Sequence, residues 1–395
     1  MKTSFAGRRL HHEATARIRR FLDHEQPGTP CLVIDLPTVR DRFTAIRDAL
    51  PGAGIFYAVK ANPTPEVVGL LAAEGASFDV ASPQEIDLCL ARGAAPAVIS
   101  YSNPIKKARD VAYAHERGVR LFVSDSEHDV RTVARHAPGS AVMLRIVVDS
   151  KGSTYPFGKK FGCAPEMAAD LLRLAADLGL APLGVAFHAG SQQLDPHGWD
   201  AAIADAAAIT LKLRAEGLDL TTVNLGGGLP AGYLDPLPPL AEYAAAITAS
   251  VSRHFGDFRP RVMVEPGRAV VAESGVLRSE VVLVARKSYA DERRWVFLDI
   301  GRYGGLAETE GEAIAYPLRT SRDGAPLDDG PTGPVVIAGP TCDADDVLYQ
   351  DTCYHLPLDL RAGDHVDLLC AGAYTASYSS VAFNGFEPLA TYCVR

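Results

Sequence analysis

The stretch Ile55-Phe56-Tyr57-Ala58-Val59-Lys60-Ala61-Asn62-Pro63 predicts a buried strand that ends at a lysine. A run of apolar residues followed by Lys60, an asparagine and a proline is typical of a parallel-sheet strand whose carboxyl end opens into a pocket. Desolvation there lowers the pKa of a lysine and frees its amine to act as a nucleophile. The alternative is a strand-end lysine whose amine extends into solvent, and the stretch by itself leaves both interpretations open.

Seven further apolar runs follow this one along the chain, and most are separated by alanine- and leucine-rich stretches of helical periodicity. Counted with the first, the runs span 55–61, 77–82, 97–102, 121–125, 142–148, 184–190, 222–228 and 261–268. Eight strands that alternate with helices predict a (β/α)8 barrel of the TIM type. Enzymes with this fold build their active sites at the carboxyl ends of the strands.

The carboxyl ends of the predicted strands are polar or rich in glycine. They carry Lys60, Asp79, Tyr101–Asn103, Asp125, Arg145, His188–Ser191, Gly226–Gly228 and Glu265–Arg268. Strands that end by chance would not concentrate acids, bases and a glycine triplet on the same face. The pattern therefore predicts an active site at this face of the barrel.

Short runs of strand-forming residues replace the alternating pattern after Arg268. They span 275–284, 294–299, 334–338, 365–369 and 389–394. The other predicted elements are a strand at 31–35 that joins this region, an amphipathic helix at 13–24 and an exposed loop or hairpin at 319–333. We therefore predict a barrel domain over residues 37–270 and a β domain, of sandwich or barrel type, formed by residues 1–36 with 271–395.

The composition is that of an ordinary soluble globular protein, because hydrophobic residues make up 47% and charged residues 22% of the 395 positions. A net charge of −9 argues against nucleic acid and anionic membranes as partners, since both favour a basic surface. The first 20 residues are polar and basic, so we expect a cytoplasmic protein. Seven scattered cysteines show no metal-ligand spacing, and we predict reduced thiols and no metal site.

Six motifs, in this order along the chain, carry a resemblance to a known family. They are Tyr57–Asn62, Phe187–Ser191, Gly226–Gly228, Glu265–Arg268, Gly339–Asp343, and Ala371–Tyr374 together with Phe383–Phe386. In these motifs the chain resembles the fold-type III pyridoxal-phosphate decarboxylases, from about residue 28 to the C-terminus. Within that family it is most similar to the ornithine decarboxylase branch, and particularly to the bacterial ornithine/lysine decarboxylases.

The resemblance implies three roles around the ring of pyridoxal 5′-phosphate. Lys60 corresponds to the lysine that holds the cofactor covalently, and Glu265 to the carboxylate that pairs with the pyridine nitrogen. His188 corresponds to the imidazole that lies against the ring face. A histidine at a strand end, considered alone, is more often a core residue satisfied by hydrogen bonds.

The same resemblance implies a phosphate site. Gly226, Gly227 and Gly228 offer backbone donors that side chains do not obstruct, although a glycine triplet alone is usually only a loop. The remaining cofactor contacts implied by the resemblance are Arg268, Ser191, Tyr374 and Gly267, of which Gly267 belongs to the turn that aims Arg268.

Asp79 and Arg145 resemble an acid and an arginine that the family places near the cofactor, and Glu85 follows on the next helix. The alternative is that Asp79 caps the helix that starts at Pro83 and that Arg145 forms an ion pair inside the barrel. The segment Lys160-Phe161-Gly162 matches a mobile loop of the family, or is a plain exposed loop.

Two motif residues lie outside the barrel. The resemblance implies that Cys342 and Asp343 reach the active site of the other subunit, and hence a homodimer with two shared sites. Cys342 would return a proton to the substrate's α-carbon, and Asp343 would bind its distal ammonium. Tyr303, Phe383 and Tyr374 are the other residues expected to contact substrate.

The implied reaction is α-decarboxylation of a cationic amino acid, with ornithine preferred and lysine as a second substrate. Ile300 stands where eukaryotic ornithine decarboxylases carry a substrate-binding aspartate, which leaves the substrate length open. Glu308, Glu310 or Glu312 would supply a replacement carboxylate, or they form an ordinary acidic helix start. Rival interpretations are a diaminopimelate or arginine decarboxylase, an alanine racemase of the same fold, and a non-catalytic homologue of the antizyme-inhibitor type.

Overall fold

The computed structural model describes residues 5–322 and 331–395, with side chains from residue 14 onward. The helices are α1 (Phe5–Glu25), α2 (Leu36–Ala49), α3 (Pro65–Ala73), α4 (Pro83–Ala91), α5 (Ala108–Glu116), α6 (Glu127–His136), α7 (Pro165–Asp177), α8 (Asp200–Ala215), α9 (Leu240–Phe255) and α10 (Arg268–Val271). Within these described ranges, no helix combines the length and the apolar character needed to cross a bilayer.

The strands divide between two compact units, which we call the barrel unit (residues 40–230 and 237–270) and the β unit (the described part of 1–39, with 231–236 and 271–395). The strands are β1 (Cys31–Asp35), β2 (Gly54–Ala58), β3 (Ser77–Val80), β4 (Ile99–Tyr101), β5 (Leu121–Ser124), β6 (Ala141–Arg145), β7 (Ser153–Tyr155), β8 (Ala181–Ala186), β9 (Ser191–Gln193), β10 (Thr222–Asn224), β11 (Arg261–Val264), β12 (Gly275–Ala285), β13 (Arg294–Leu298), β14 (Leu318–Thr320), β15 (Thr332–Ala338), β16 (Val347–Pro357), β17 (His365–Leu369) and β18 (Ala390–Val394).

The barrel unit is a closed sheet of eight parallel strands, which confirms the predicted (β/α)8 fold. Its strand order is β2-β3-β4-β5-β6-β8-β10-β11, and β11 pairs with β2 to close the ring. Val123, Met143, Ala186 and Met263 meet in one buried cluster formed by four of these strands. These strands thereby bury apolar side chains against one another, as expected for the packed interior of such a barrel.

The barrel strands are shorter than the sequence predicted, and several of them end before the polar residues that follow. Strand β2 ends at Ala58, and a 3-10 turn at Val59–Ala61 follows, so the prediction that the strand itself ends at Lys60 was wrong. Strand β10 likewise ends at Asn224, and the glycine triplet lies in the loop beyond it. Lys60, His188, the glycine triplet and Glu265 therefore lie just past strand ends, whereas Asp79 and Arg145 lie within β3 and β6.

A buried ion pair that the sequence did not predict joins two neighbouring strand ends. The Lys106 ammonium lies 2.7 Å from Asp129 and also donates hydrogen bonds to the carbonyl oxygens of Asn103 and Val123. All three donors of the ammonium are therefore satisfied, which is the condition for burying such a charge. The pair fixes the region where β4 and β5 end.

The β unit is built around β12, a long strand shared by two sheets. Its first half pairs with β1 on one side and with β17 on the other, and its second half pairs with β13, with a register shift between Val281 and Leu283 within that pairing. A strand that bends from one sheet into another forms the corner of a sandwich or barrel. The predicted participation of Cys31–Asp35 is confirmed, since β1 also pairs with β18.

Two strands of the β unit were not predicted from the sequence. One is β16 (Val347–Pro357), whose tyrosines and valine are strand formers interrupted by polar residues. The other is β14 (Leu318–Thr320). The predicted loop or hairpin at 319–333 therefore begins within β14 and ends within β15. Residues 323–330, in the middle of that segment, lie outside the described residues.

Helix α1 is longer than the predicted 13–24 and packs on the β unit. Ile18 and Leu22 lie in one buried cluster with Val33 of β1. The Arg17 guanidinium binds both carboxylate oxygens of Asp35 at 2.6 and 2.8 Å. Burial alone would raise the pKa of Asp35, but hydrogen bonds from Arg17 and Thr38 lower it below its ordinary value.

Candidate active site

Lys60 and Asp79 form an ion pair at the carboxyl face of the barrel. The register of β2 and β3 sets Asp79 beside Ala58, and the Lys60 ammonium lies 2.9 Å from the Asp79 carboxylate. The Lys60 side chain is 48% exposed, which agrees with the open alternative of a solvent-accessible amine rather than a desolvated one, whereas Asp79 is only 3% exposed. The amine is thus accessible to a ligand and is aimed by a buried acid.

The alternative role for Asp79, as a helix cap, is wrong. Helix α4 is capped by Ser82, whose hydroxyl accepts a hydrogen bond from the Glu85 amide at 3.3 Å. Glu85 in turn accepts a hydrogen bond from the Ala81 amide at 2.6 Å. Burial raises the pKa of Glu85, and the nearby Lys60 charge opposes this shift. Strand β3 and the helix that follows it therefore place two acids, Asp79 and Glu85, near Lys60.

Glu265 lies in the loop after β11 and is held by neighbouring strand ends. Its Oε1 accepts hydrogen bonds from Asn224 Nδ2 at 2.6 Å and from Ser102 Oγ at 3.3 Å. Burial, and then the charge of Asp79, raise the pKa of Glu265 to about 7, against the opposing effect of Lys60, Asn224 and Arg145. Glu265 is thus poised to exchange a proton near neutral pH.

His188 follows β8 as an oriented, neutral imidazole. The Gly190 amide donates a hydrogen bond to Nδ1 at 3.1 Å, and the ring of Phe157 packs edge-on at 4.6 Å. Burial, followed by the positive charges of Arg145 and Lys60, lowers the pKa of His188 well below its ordinary value. Since Nδ1 accepts a hydrogen bond, the single proton of the neutral ring lies on Nε2.

The glycine triplet forms a turn that no other residue fits. Gly226 has φ +66°, and a Cβ there would overlap the Phe187 carbonyl oxygen. A Cβ at Gly227 would lie 2.7 Å from the Glu265 carbonyl oxygen. Within the described chain, the amides of Gly227 and Gly228 donate no hydrogen bond to protein. These two N–H groups therefore remain available to an anion.

Arg268 and Ser191 are brought together beside this turn. Arg268 begins α10, is 4% exposed, and donates a hydrogen bond from Nη2 to Ser191 Oγ at 3.1 Å. Ser191 begins β9, which pairs with β7 in a two-stranded sheet. Gly267 lies in the turn before Arg268, and the neighbouring Pro266 carbonyl accepts a hydrogen bond from the Ala58 amide at 3.1 Å. This turn ties Arg268 to the strand that precedes Lys60.

Arg145 packs against aromatic rings and forms no ion pair with any described residue, so the alternative of a barrel-interior ion pair is wrong. Its guanidinium carbon lies 4.9 Å from the ring centre of Phe161 and 6.0 Å from that of Phe157. Burial lowers the pKa of Arg145, while the charge of Glu265 raises it. Gly162, in the Lys160-Phe161-Gly162 segment, donates a hydrogen bond to Asp125 at 2.8 Å, which anchors this loop over the arginine.

The β unit brings four of the remaining predicted residues into one cluster, which we call the acidic cluster: Tyr303, Cys342, Asp343 and Phe383. Tyr303 packs on Phe383 with ring centres 4.7 Å apart. Partial burial, followed by a hydrogen bond with Asp343 and its charge, raises the pKa of Tyr303. Cys342 is exposed, and its amide donates a hydrogen bond to Asn384 Oδ1 at 3.1 Å.

Asp346 organises the two loops that carry this cluster. It is 2% exposed, and its carboxylate accepts hydrogen bonds from the Arg302 amide at 2.7 Å and from the Thr341 amide and hydroxyl at 3.1 and 2.7 Å. A Cβ at Gly301 or Gly339 would overlap this carboxylate. The glycines of both motifs are therefore required by one buried acid.

Tyr374, also in the β unit, lies in the turn after β17. Its backbone has φ +55°, in the left-handed region that side chains of its size rarely adopt. Such conformations are held in place by their surroundings and concentrate at ligand-binding sites.

The region around Ile300 settles one of the open questions about a second carboxylate. Ile300 is buried and does not face solvent. Glu312 accepts hydrogen bonds from the amides of Gln350, Asp351 and Thr352 at 2.5–2.7 Å, so it anchors β16. We conclude that the Glu312 carboxylate is fully engaged by backbone and is not free to bind an ammonium group.

Three residues of functional interest were given no role of their own from the sequence. Asn224 and Ser102 both donate to Glu265, and Asp346 holds the loops of the acidic cluster. The available signals were an amide two residues before the glycine triplet, a serine at a strand end, and the last of the three aspartates that follow Cys342. None of these signals distinguishes a buried partner from an exposed polar residue.

The donor set of the barrel unit fits pyridoxal 5′-phosphate. Lys60 offers an accessible amine, Glu265 a proton-exchanging carboxyl group, and His188 a neutral ring. The amides of Gly227 and Gly228, with Arg268 nearby, suit a phosphate group.

Comparisons with known proteins agree with this geometry. Residues 36–272 match the family described as "Pyridoxal-dependent decarboxylase, pyridoxal binding domain". A lysine/ornithine decarboxylase of Selenomonas ruminantium is 35% identical over 91% of this chain and 88% of its own.

Solved structures give the same result. The lysine/ornithine decarboxylase from Vibrio vulnificus complexed with cadaverine has a TM-score of 0.84 at 31% identity, over 96% of this chain and 97% of that one. The arginine decarboxylase of Paramecium bursaria Chlorella virus bound to agmatine has a TM-score of 0.86 at 26% identity, over 95% and 100%. The chain therefore belongs to the pyridoxal-dependent decarboxylases and is a carboxy-lyase whose cofactor is pyridoxal 5′-phosphate.

Proposed function

We propose that the enzyme removes the α-carboxylate of ornithine, and less efficiently that of lysine, to give putrescine or cadaverine for polyamine biosynthesis. The observation that carries this proposal is the acidic cluster, in which Asp343 is paired with Tyr303 beside Cys342. A carboxylate held in this way attracts the distal ammonium of such a substrate and repels a second carboxylate. The relatives named for lysine and ornithine support the same substrate class.

The barrel unit would hold the cofactor. Pyridoxal 5′-phosphate supplies the electron sink that accepts the bonding pair of the leaving carboxylate. Lys60 Nζ holds the cofactor, with Asp79 keeping this amine in place. The Glu265 carboxylate would pair with the ring nitrogen, and His188 would support the ring.

The phosphate would be bound by the glycine turn and its neighbours. The amides of Gly227 and Gly228 donate to its oxygens, and Gly226 shapes the turn. Arg268 adds a charge-assisted hydrogen bond through a guanidinium already oriented by Ser191. Two further predicted contacts complete the set: Tyr374 of the β unit, and Gly267 as the turn that aims Arg268.

Cys342 would supply the proton that completes the reaction. When the bond between the α-carbon and the carboxylate breaks, carbon dioxide leaves and the bonding pair remains at the α-carbon, where the electron sink described above would stabilise it. The Cys342 thiol then donates its proton to the α-carbon, forming the new C–H bond. Asp343 holds the distal ammonium meanwhile, and Tyr303 and Phe383 line the substrate chain. Arg145 adds a positive charge near Glu265.

We further propose a homodimer in which the acidic cluster of each chain serves the barrel of its partner. A segment of the β unit next to Cys342's hydrogen-bond partner Asn384 exposes large apolar side chains: Tyr378 (56%), Val381 (79%) and Phe386 (45%). An apolar surface of this kind is typical of an interface between chains.

A parallel product assay tests the substrate. Purified enzyme is given L-ornithine, L-lysine, L-arginine, diaminopimelate and the D-isomers, and the amines formed are quantified. We expect putrescine with the highest kcat/KM, and cadaverine second. Faster agmatine formation would favour the arginine decarboxylase activity of one structural neighbour. Product from diaminopimelate alone would contradict the role of Asp343, and no product from any amino acid would indicate a binding protein.

Asp346→Asn is expected to lower kcat/KM by about 10- to 100-fold, since a hydrogen bond to a charged group contributes roughly 1.5–3 kcal/mol. Three donors converge on the two carboxylate oxygens, so an amide NH2 would face one of them unpaired. Steady-state kinetics and cofactor titration are the measurements, and we expect cofactor affinity to stay unchanged. Asp345→Asn, an exposed neighbour with the same chemical change, is the control. Equal kinetics in both variants would remove Asp346 from the site.

A further inference from the structure

Asn224 connects two parts of the active site through one buried side chain. It ends strand β10 and is 1% exposed. Its Oδ1 accepts a hydrogen bond from the Gly226 amide at 2.9 Å, and its Nδ2 donates to Glu265 Oε1 at 2.6 Å. The same amide therefore contacts both the glycine turn and the carboxyl group.

The orientation of this amide follows from the chemistry of its partners. A backbone N–H can only donate, so the oxygen of Asn224 must face Gly226 and the nitrogen must face Glu265. Ser102 Oγ, itself 2.9 Å from Ser100 Oγ, donates to the same Glu265 oxygen at 3.3 Å. With two donors on Oε1, any proton of Glu265 resides on Oε2.

We propose that Asn224 is a positioning residue. Its Nδ2 keeps Glu265 Oε1 as a hydrogen-bond acceptor and leaves Oε2 to exchange a proton with the cofactor ring nitrogen. Its Oδ1 holds the Gly226 turn in a fixed position relative to Glu265. This inference rests on the proposed pairing of Glu265 with the cofactor. It makes one side chain responsible for aligning the phosphate end and the ring-nitrogen end of the site. The backbone of Asn224 is itself held in place, because the Phe187 amide donates a hydrogen bond to the Asn224 carbonyl oxygen at 3.0 Å. This bond joins the end of β10 to the segment just before His188.

Asn224→Asp separates the two functions. Aspartate keeps the size of the side chain and an acceptor for Gly226, but it replaces the donor with a carboxylate facing Glu265. The charged groups around Glu265 are Asp79, Lys60 and Arg145, and they stay the same. A second carboxylate at hydrogen-bond distance raises the pKa of Glu265, so the group keeps its proton to a higher pH.

We therefore expect the acid limb of the pH profile of Asn224→Asp to move up by about one pH unit or more. Two readouts apply: kcat/KM, and the visible absorbance of the bound cofactor without substrate. Cofactor affinity, from titration of apoprotein, and the ³¹P resonance of the bound phosphate should stay at wild-type values. Asn224→Ala loses both hydrogen bonds, so its cofactor affinity should also fall by about tenfold. Ser102→Ala should shift the acid limb in the same direction by less.

Two reference variants make the result decisive. Asn103→Asp introduces the same change at another strand end, where the amide donates to the Ala81 carbonyl instead, and should leave the acid limb in place. Glu265→Gln should abolish the pH dependence of the cofactor absorbance; if it does not, the proposed pairing of Glu265 fails independently of Asn224.

A wild-type acid limb in Asn224→Asp, or equal loss of cofactor affinity in Asn224→Asp and Asn224→Ala, would overturn the positioning role. The absorbance arm needs no substrate, so it stands apart from the ornithine assignment.

Discussion

Lys60→Ala is expected to lower decarboxylation by about 10³-fold or more, equal to about 4 kcal/mol of transition-state stabilisation. Alanine removes the amine that would hold the cofactor, and it leaves the nearly buried Asp79 carboxylate without its partner. The purified variant should also lose the visible absorbance of the protein-bound cofactor. Product formation from ornithine and the absorbance spectrum are the two measurements.

Lys60→Arg distinguishes a chemical role from an electrostatic one. Arginine preserves a positive charge for Asp79, but its guanidinium stays protonated and cannot act as a nucleophile. We expect it to be as inactive as Lys60→Ala while retaining more of the thermal stability. Lys212→Ala, an exposed lysine on α8, is the control and should be fully active. Substantial turnover by Lys60→Arg would show that this lysine contributes only its charge.

Mixing Lys60→Ala chains with Cys342→Ala chains is expected to restore about a quarter of wild-type activity from two nearly inactive proteins. If each site combines Lys60 of one chain with Cys342 of the other, a heterodimer contains one intact site and one doubly damaged site. Half of the dimers are heterodimers at equal mixing and free exchange, and half of their sites work. The chains are mixed in mild denaturant, refolded and assayed for product.

Three controls accompany the mixture. Differently tagged chains must co-purify, which shows that heterodimers formed. Each variant refolded by itself should remain inactive. Cys353→Ala, another exposed cysteine of the β unit, should be active alone. Confirmed heterodimers without regained activity would mean that Cys342 serves the lysine of its own chain or takes no part in the chemistry.

The barrel and its reactive face were predictable from the sequence for a local reason. Each barrel strand buries an apolar run, and that run is visible in any one segment without knowledge of its neighbours. Once eight such runs alternate with helices, topology places all carboxyl ends at one face, so Lys60, His188 and Glu265 could be expected together. The strand ends themselves were placed too late, because Asn224 and Ala58 leave the sheet at points set by the loops that follow.

The supporting residues were not predictable in this way. Asn224 and Glu265 are 41 positions apart, and Arg302 and Asp346 are 44 apart. Whether an amide or a carboxylate is a solvated surface group or a buried bridge depends on which distant donors the fold brings to it. Pattern and motif do not contain that information, so both residues emerged only from their hydrogen bonds.

The sequence by itself determined the alternating architecture, the family and the identities of the reactive side chains, since these follow from periodicity and from motifs read in order. Only the tertiary structure decided their states. It left Lys60 accessible and paired with Asp79, made His188 neutral, and raised the pKa of Glu265 to about 7. The reason is that protonation depends on burial and on charges contributed by segments far apart in the chain, which meet only when the barrel closes.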